Sequence, residues 1–114
     1  MNTPAKPAID VAAGVARLHG DQAMFDRVLR RFADSFAATP DEVREALARH
    51  DGELAVRLAH TLKGAAGTIG AGMLQEAALR LEQSLRSGTD DCDGQLDVMA
   101  TELQRVLREI GERP

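Results

Sequence analysis

The sequence has little of what disulfide-bonded, metal-binding and membrane-spanning proteins need. Cys92 is the only cysteine, which excludes an internal disulfide and gives no metal-ligand spacing. Its position ahead of Leu96 on an apolar stripe favours a small core residue over a reactive thiol. No apolar run approaches the roughly 18 residues that span a bilayer, and residues 1–8 lack the apolar segment of a secretion signal. We therefore expect a cytoplasmic protein.

Aromatic and β-branched residues are also scarce. Tryptophan and tyrosine are absent and phenylalanine occurs three times, whereas alanine, leucine, arginine and glutamate dominate. This composition favours helix almost everywhere, so we predict an all-α fold. The formal net charge is −4 and the basic residues are scattered singly among acidic ones. No clustered positive surface results, and a nucleic-acid partner is not expected.

The 114 residues fit one domain. We predict a flexible tail over residues 1–7 and a single helical domain over residues 8–112. Apolar residues at three- and four-residue intervals predict successive amphipathic helices joined by short links. Because short links make neighbouring helices antiparallel, the expected architecture is an up-and-down four-helix bundle with one or two additional short helices.

Several helix ends are also marked in the sequence. Asp21 and Asp51 are suited to N-cap positions. The segment "TPDE", residues 39–42, has the pattern of a capping box with Thr39 as its N-cap. In the last helix, the apolar repeat predicts that Glu102, Arg105 and Glu109 face the solvent.

The segment "AHTLKGAAGTIGA", residues 59–71, combines a histidine with glycines inside a predicted helix that runs from about Glu53 to Ile69. Each mid-helix glycine costs roughly 0.5 to 1 kcal/mol relative to alanine, so a compensating role is expected. Gly70 and Gly72 are interpreted as helix breakers. The core stripe predicted for this helix consists of Leu54, Leu58, Leu62, Ala65 and Ile69.

His60 shares a helix face with Lys63, Gly64 and Gly67, and the centre of this face lies about 190° from the centre of the leucine stripe. His60 is therefore predicted to face outward. The other two histidines, His19 and His50, lie at predicted helix C-termini, where the helix dipole favours them and no function is needed.

This outward face suits a phosphoryl acceptor. Gly64 and Gly67 would let a bulky group or a second protein approach the helix backbone, and Lys63 would swing its ammonium group over the cleared surface. A neutral imidazole attacks phosphorus through Nε2 when an acceptor holds the hydrogen on Nδ1. Glu82, on the next helix, is either this acceptor or a solvated surface carboxylate.

The segment "AHTLKGAAGTIGA" resembles the signature of histidine phosphotransfer (HPt) domains of multistep phosphorelays: histidine, any residue, an apolar residue, lysine, glycine, small residues and a second glycine. The resemblance extends more weakly over most of residues 8–110. It implies a four-helix bundle, His60 as phosphoacceptor, Lys63 as the cation that balances phosphoryl charge, and Gly64 and Gly67 as the access surface for a partner.

The resemblance also implies roles for residues around this motif. A polar residue at the position of Glu82 orients the imidazole, and an amide is familiar there in the family. Arg86, one turn beyond Glu82, adds a second cation near the phosphate. Val56, one turn before His60, is either the apolar contact for a docked partner or a plain surface residue.

HPt domains use no ATP and bring no metal of their own. By resemblance, the phosphoryl group comes from an aspartyl phosphate on a receiver domain, and the receiver supplies the Mg²⁺. The implied partners are receiver domains of response regulators and of a hybrid histidine kinase, with no direct membrane contact and a monomeric chain. The chain would act alone in the cytoplasm or as the cytoplasmic module of a membrane-bound hybrid kinase.

Two other interpretations stay open at this point. The dimerisation and phosphoacceptor helices of a sensor kinase also expose a histidine, although an acid and then a proline usually follow it there, whereas Thr61 follows His60 here. A non-catalytic helical adaptor would make His60 incidental. A metal enzyme is not favoured, because no histidine or acid stands four residues from His60.

Overall fold

The computed structural model describes residues 6–88 and 92–113, so that residues 1–5 of the predicted tail lie outside the described residues. Within the described residues there is no strand, and the predicted all-helical class is confirmed. No helix in this part of the chain combines the length and the apolar character that crossing a bilayer requires. In chain order, the helices are α1 (Val11–Arg17), α2 (Gln22–Phe36), α3 (Thr39–Ala48), α4 (Gly52–Thr68), α5 (Gly72–Ser87) and α6 (Cys92–Glu112).

Aspartate side chains cap the N-termini of three helices. Asp21 accepts a hydrogen bond from the Met24 amide at 2.9 Å, and Asp51 accepts one from the Leu54 amide at 3.1 Å, as predicted. Asp10 caps α1 in the same way. Such a cap is worth about 1 kcal/mol, because it satisfies an amide that the helix itself leaves unpaired.

The predicted capping box at residues 39–42 is wrong. Thr39 is already the first residue of α3, the N-cap is Ala38, and no side chain caps this helix. The cause is the close junction between helices, since Ala37 still has helical backbone angles at the end of α2. Thr39 is thereby drawn into the interior, where it is only 2% exposed.

Left-handed backbone conformations follow four of the helices in the described residues. His19 follows α1 with φ 55°, His50 follows α3 with φ 59°, Gly70 follows α4 with φ 80° and Gly88 follows α5 with φ 69°. The two histidines therefore lie at helix C-termini, as expected. Gly72, in contrast, is the first residue of α5 and not a breaker of α4.

One hydrophobic core runs through the protein, and α4 lies between two of its neighbours. This helix packs against α3 and α5, α5 packs against α6, and α6 also contacts α2 and α3. Cys92, at the start of α6, is partly buried against the core. The residues of α4 that are completely buried are Ala55, Ala59, Leu62 and Ala66.

This buried face differs from the predicted leucine stripe. Leu54, Leu58 and Ala65 are only partly buried, so the true core face is rotated by roughly 70° toward His60 on a helix of 3.6 residues per turn. The alanines occupy its centre because helices on both sides approach α4 closely, and small side chains permit that approach. The rotation brings the neighbourhood of His60 nearer to α5 than the sequence predicted.

The N-terminal segment is held by groups from two other parts of the chain. The Asp10 amide donates to the Gly70 carbonyl oxygen at 2.9 Å. The carboxylate of Glu109 accepts hydrogen bonds from the amides of Ala8 at 2.5 Å and Ile9 at 3.1 Å. Glu109 was predicted to face water. It instead satisfies two backbone donors that would otherwise be unpaired near the core.

The other two residues predicted to face water on α6 are also partly covered. Glu102 and Arg105 form an ion pair at 2.8 Å, with side chains that are 15% and 27% exposed. Arg105 reaches further and donates to the carbonyl oxygen of Lys6 at 2.6 Å. The N-terminal segment therefore accounts for the departure of Arg105, and the ion pair with Arg105 accounts for that of Glu102.

Candidate functional site

His60 lies in the middle of α4, and its side chain is 59% exposed. Its neighbours Ala59 and Leu62 are completely buried, and they fix the helix against the core. The backbone under the imidazole is therefore rigidly placed, while the ring itself is accessible to solvent and to a partner. A rigid element of this kind positions a reacting group better than a loop does.

Glu82 of α5 is the centre of a charged cluster that includes His60. The carboxylate lies within hydrogen-bonding distance of His60 Nδ1, with Oε2 at 3.1 Å and Oε1 at 3.3 Å. Lys63 Nζ lies 2.9 Å from Oε1. Arg86 donates to Oε2 through Nε at 3.1 Å and Nη2 at 2.9 Å. The side chain of Glu82 is only 7% exposed, so it is not a solvated surface carboxylate.

The contacts of Glu82 fix its protonation state. Burial raises the pKa of this carboxyl, but hydrogen bonds from Lys63, Arg86 and His60 and the positive charge of Lys63 outweigh burial and lower the pKa to about 2. The carboxylate is therefore ionised at neutral pH and can only accept hydrogen bonds. A neutral His60 ring must then carry its hydrogen on Nδ1. This assignment leaves the lone pair on Nε2, the atom required for nucleophilic attack.

Lys63 departs from its expected place. It was predicted to swing its ammonium group freely over an open surface, but its side chain is only 24% exposed and pairs with Glu82. The rotation of the core face explains this result, because it turns Lys63 toward α5. The ammonium group is still beside His60, since both contact the same carboxylate.

The two glycines of the predicted access surface differ. Among the residues that the structure describes, a Cβ added at Gly64 would have no heavy atom within 4 Å, so the surface there is open. A Cβ added at Gly67 would lie 2.4 Å from Nε2 of Gln75, and Arg17 Nη1 donates to the Gly67 carbonyl oxygen. The access surface is therefore open at Gly64 and partly covered at Gly67. Gln75 and Arg17 could not be predicted as part of this surface, because no local sequence pattern connects them to α4.

Val56 lies one turn before His60 and is half-buried. It lines a groove of about 470 Å³ between α4 and α5, together with Gly52, Glu53, Arg57, Leu85 and Arg86. Arg86 belongs to both this groove and the charged cluster of Glu82. The groove therefore joins a partly apolar surface to the imidazole. Within residues 6–88 and 92–113, no group of three or more histidines, cysteines and acids is arranged to hold a metal ion.

The lowered pKa of Glu82 predicts a specific pH dependence of stability. A difference of one in pKa corresponds to about 1.4 kcal/mol, so a carboxyl that titrates at about 2 in the folded chain and at its ordinary value of 4.5 in the unfolded chain contributes up to about 3 kcal/mol. Since the folded pKa is the lower one, this contribution is complete above pH 4.5 and is lost as the pH falls toward 2. We expect Glu82→Gln to remove it.

Urea unfolding of the wild type and Glu82→Gln between pH 2 and pH 7 measures this contribution. The difference in the free energy of unfolding should be greatest above pH 4.5 and should approach a small constant near pH 2. A difference that does not change with pH would contradict the assigned ionisation of Glu82. Glu76→Gln is the matched control, because Glu76 pairs with Arg80 of the same helix in an exposed ion pair that contributes little.

The fold and the site together define a class of protein: an all-helical protein that presents an exposed imidazole beside two cations, with one ring nitrogen held by a carboxylate. The family model of the Hpt domain matches residues 27–109. The chain therefore belongs to the Hpt domain family, and this membership indicates involvement in histidine phosphotransfer in phosphorelays, in which Hpt domains interact with receiver domains. A search of curated proteins found no significant match.

Proposed function

We propose that His60 accepts a phosphoryl group from the aspartyl phosphate of a receiver domain and passes it to the aspartate of another receiver. The observation that carries this proposal is the contact of His60 Nδ1 with the ionised carboxylate of Glu82 at 3.1 Å, in a histidine side chain that is 59% exposed. The contact orients the ring and leaves Nε2 as the nucleophile.

In the proposed reaction, the Nε2 lone pair forms a bond to phosphorus while the bond from phosphorus to the aspartate oxygen breaks. The bonding electron pair leaves with the aspartate carboxylate, and the proton on Nδ1 stays in place. Lys63 and Arg86 balance the charge of the phosphoryl group. Positioning and charge neutralisation supply most of the catalysis in phosphoryl transfer. The receiver is proposed to bring the Mg²⁺ that neutralises further charge.

The bundle that presents His60 is proposed to be the up-and-down antiparallel four-helix arrangement, formed by α3, α4, α5 and α6. Support comes from the contacts among these helices, which close a ring: α3 with α4, α4 with α5, α5 with α6, and α6 with α3. The first two helices, α1 and α2, are additional to this ring. The chain is proposed to act as a monomer in the cytoplasm, with receivers of response regulators and of a hybrid histidine kinase as partners.

The proposed function is tested by phosphotransfer from receiver domains of the source organism, each phosphorylated with labelled acetyl phosphate. At least one receiver should transfer label to the full chain, and the label should be stable to alkali and labile to acid. Labelled ATP alone should transfer nothing. Self-labelling with ATP would indicate a sensor-kinase segment, and the absence of transfer from every receiver would favour a helical adaptor.

Gly64 provides a test of the proposed access surface. Gly64→Ala should stabilise the fold by roughly 0.5 to 1 kcal/mol, because alanine favours helix and its methyl group meets none of the described residues. The same methyl group lies on the face that a receiver must approach, so transfer should become severalfold slower. Urea unfolding and the initial rate of transfer measure the two effects.

Gly111→Ala is the matched control for Gly64. Gly111 lies in α6, and a Cβ there also has no heavy atom of the described part of the chain within 4 Å. This variant should gain stability without changing the rate of transfer. Equal transfer rates for Gly64→Ala and the wild type would remove Gly64 from the proposed docking face.

A further inference from the structure

Glu82 places a negative charge beside the atom that is proposed to receive a phosphoryl dianion. Both of its oxygens are engaged, Oε1 by Lys63 at 2.9 Å and Oε2 by Arg86 at 2.9 Å and His60 at 3.1 Å. The two cations beside the imidazole are therefore already paired before any phosphoryl group arrives. A phosphoryl group on His60 must compete with Glu82 for them.

The members of this cluster differ in their freedom to move. Glu82 is 7% exposed and lies on a helix face whose residues Ala78 and Leu81 are completely buried, so its charge is fixed in place. Arg86 is 60% exposed and can turn toward a new anion. Lys63, at 24% exposed, has a flexible stem that allows a smaller movement. The carboxylate thus remains near a phosphoryl group even if the cations turn to it.

The carboxylate also acts on the proton of the ring. Attack by the neutral imidazole gives a ring that has phosphorus on Nε2 and hydrogen on Nδ1, and this ring is cationic. The Glu82 carboxylate favours retention of the Nδ1 proton. When the bond between nitrogen and phosphorus then breaks, its electron pair returns to Nε2 and a neutral imidazole leaves. Retention of the proton therefore keeps the phosphoryl group easily transferred.

We propose that Glu82 is a positioning residue that keeps the phosphoryl group on His60 short-lived and shifts the transfer equilibrium toward the receiver aspartate. This inference rests on the proposed function and adds the direction in which the transfer equilibrium lies. The chain transmits phosphoryl groups to the receiver and does not store them. A glutamine at position 82 would keep an acceptor for Nδ1 but would remove the charge that repels the phosphoryl group and retains its cations.

The test measures the lifetime of phosphohistidine without any receiver. The full chain carries His19→Asn and His50→Asn, so that His60 is its only histidine. Phosphoramidate is the phosphoryl donor, and loss of the phosphohistidine signal is followed by ³¹P NMR. In this background, Glu82→Gln should lengthen the lifetime by about tenfold, the order expected from one unit charge roughly 6 Å from a dianion at the dielectric of water. The equilibrium with a receiver should shift toward His60 by a similar factor.

Arg86→Gln distinguishes this charge effect from a structural one. If Glu82 acts by charge, removal of Arg86 should shorten the lifetime, because the carboxylate then lacks a cation that also serves the phosphoryl group. If the cluster only held the ring in place, both variants would loosen it, and both would change the lifetime in the same direction. Glu76→Gln is the control, since it removes the same charge from an i, i+4 pair with Arg80 at 2.7 Å on the same helix.

The inference is supported if the phosphohistidine lifetime lengthens in Glu82→Gln, shortens in Arg86→Gln and does not change in Glu76→Gln. An unchanged or shorter lifetime for Glu82→Gln overturns it, and circular dichroism checks that the variant is folded. If Glu82→Gln does not fold, the Arg86→Gln lifetime decides alone, and one that is not shortened overturns the inference. Failure of every receiver to exchange phosphate with the chain would overturn the proposed function but not the effect on lifetime.

Discussion

His60→Gln is expected to abolish the acid-labile label that a phosphorylated receiver transfers to the chain. Glutamine keeps polar atoms near Glu82, but the lone pair of its amide nitrogen is delocalised into the carbonyl group and cannot attack phosphorus. The change should cost no more than about 2 kcal/mol of stability, because a hydrogen bond to a charged group contributes about 1.5 to 3 kcal/mol and this histidine side chain is 59% exposed. The measurement is gel autoradiography after incubation with the phosphorylated receiver.

The two other histidines are controls for this result. His19 and His50 have positive φ values of 55° and 59°, and asparagine tolerates this left-handed conformation better than most residues. His19→Asn and His50→Asn should therefore keep both the fold and the label. Label that persists in His60→Gln, or that disappears in either control, would place the chemistry on another residue.

Helices and most of their ends could be predicted because their causes are local. An aspartate such as Asp21 or Asp51 caps a helix through an amide three residues away, whatever the rest of the protein does. Thr39 shows the limit of this reasoning. Its capping pattern is correct in sequence, but the helical backbone continues through Ala37, Ala38 takes the N-cap position, and Thr39 becomes a buried first residue of α3.

The face that α4 buries could be predicted only approximately, because it depends on which helices pack against it. Leucines such as Leu54 and Leu58 are the most apolar residues of the helix, yet Ala55 and Ala59 occupy the centre of the interface. Helix packing selects small side chains where two backbones come closest. Hydrophobicity alone carries no information about that distance, so the predicted stripe was rotated away from the true one.

The same limit applies to the site. His60 is exposed as the helical wheel predicted, because its side chain lies far from the core on either assignment of the buried face. Lys63 lies nearer to that face, and the rotation is enough to bring it onto Glu82. The pairing of Glu82 with Arg86 follows from their i, i+4 spacing. The contact of Lys63 with Glu82 needs the distance between α4 and α5, which the sequence does not contain.

Gly70→Ala is expected to destabilise the fold by roughly 2 to 5 kcal/mol. Gly70 has a φ of 80°, where an L side chain costs roughly 1 to 2 kcal/mol. An added Cβ would also lie 2.6 Å from the backbone oxygen of Asp10, which cannot move like a flexible side chain, and such overpacking costs a further 1 to 3 kcal/mol, roughly. The clash lies beside the hydrogen bond from the Asp10 amide to the Gly70 oxygen, through which the N-terminal segment meets the end of α4.

Gly88→Ala separates the two causes of this loss. Gly88 has a similar φ of 69° at the end of α5, but a Cβ there would meet no heavy atom of residues 6–88 and 92–113 within 4 Å. It should therefore cost only the roughly 1 to 2 kcal/mol of the left-handed conformation. Urea unfolding of both variants gives the difference, which is the cost of contact with Asp10. Equal losses would mean that the N-terminal segment does not pack against Gly70, and the hydrogen bond that joins them would then contribute nothing to holding α1 at the end of α4.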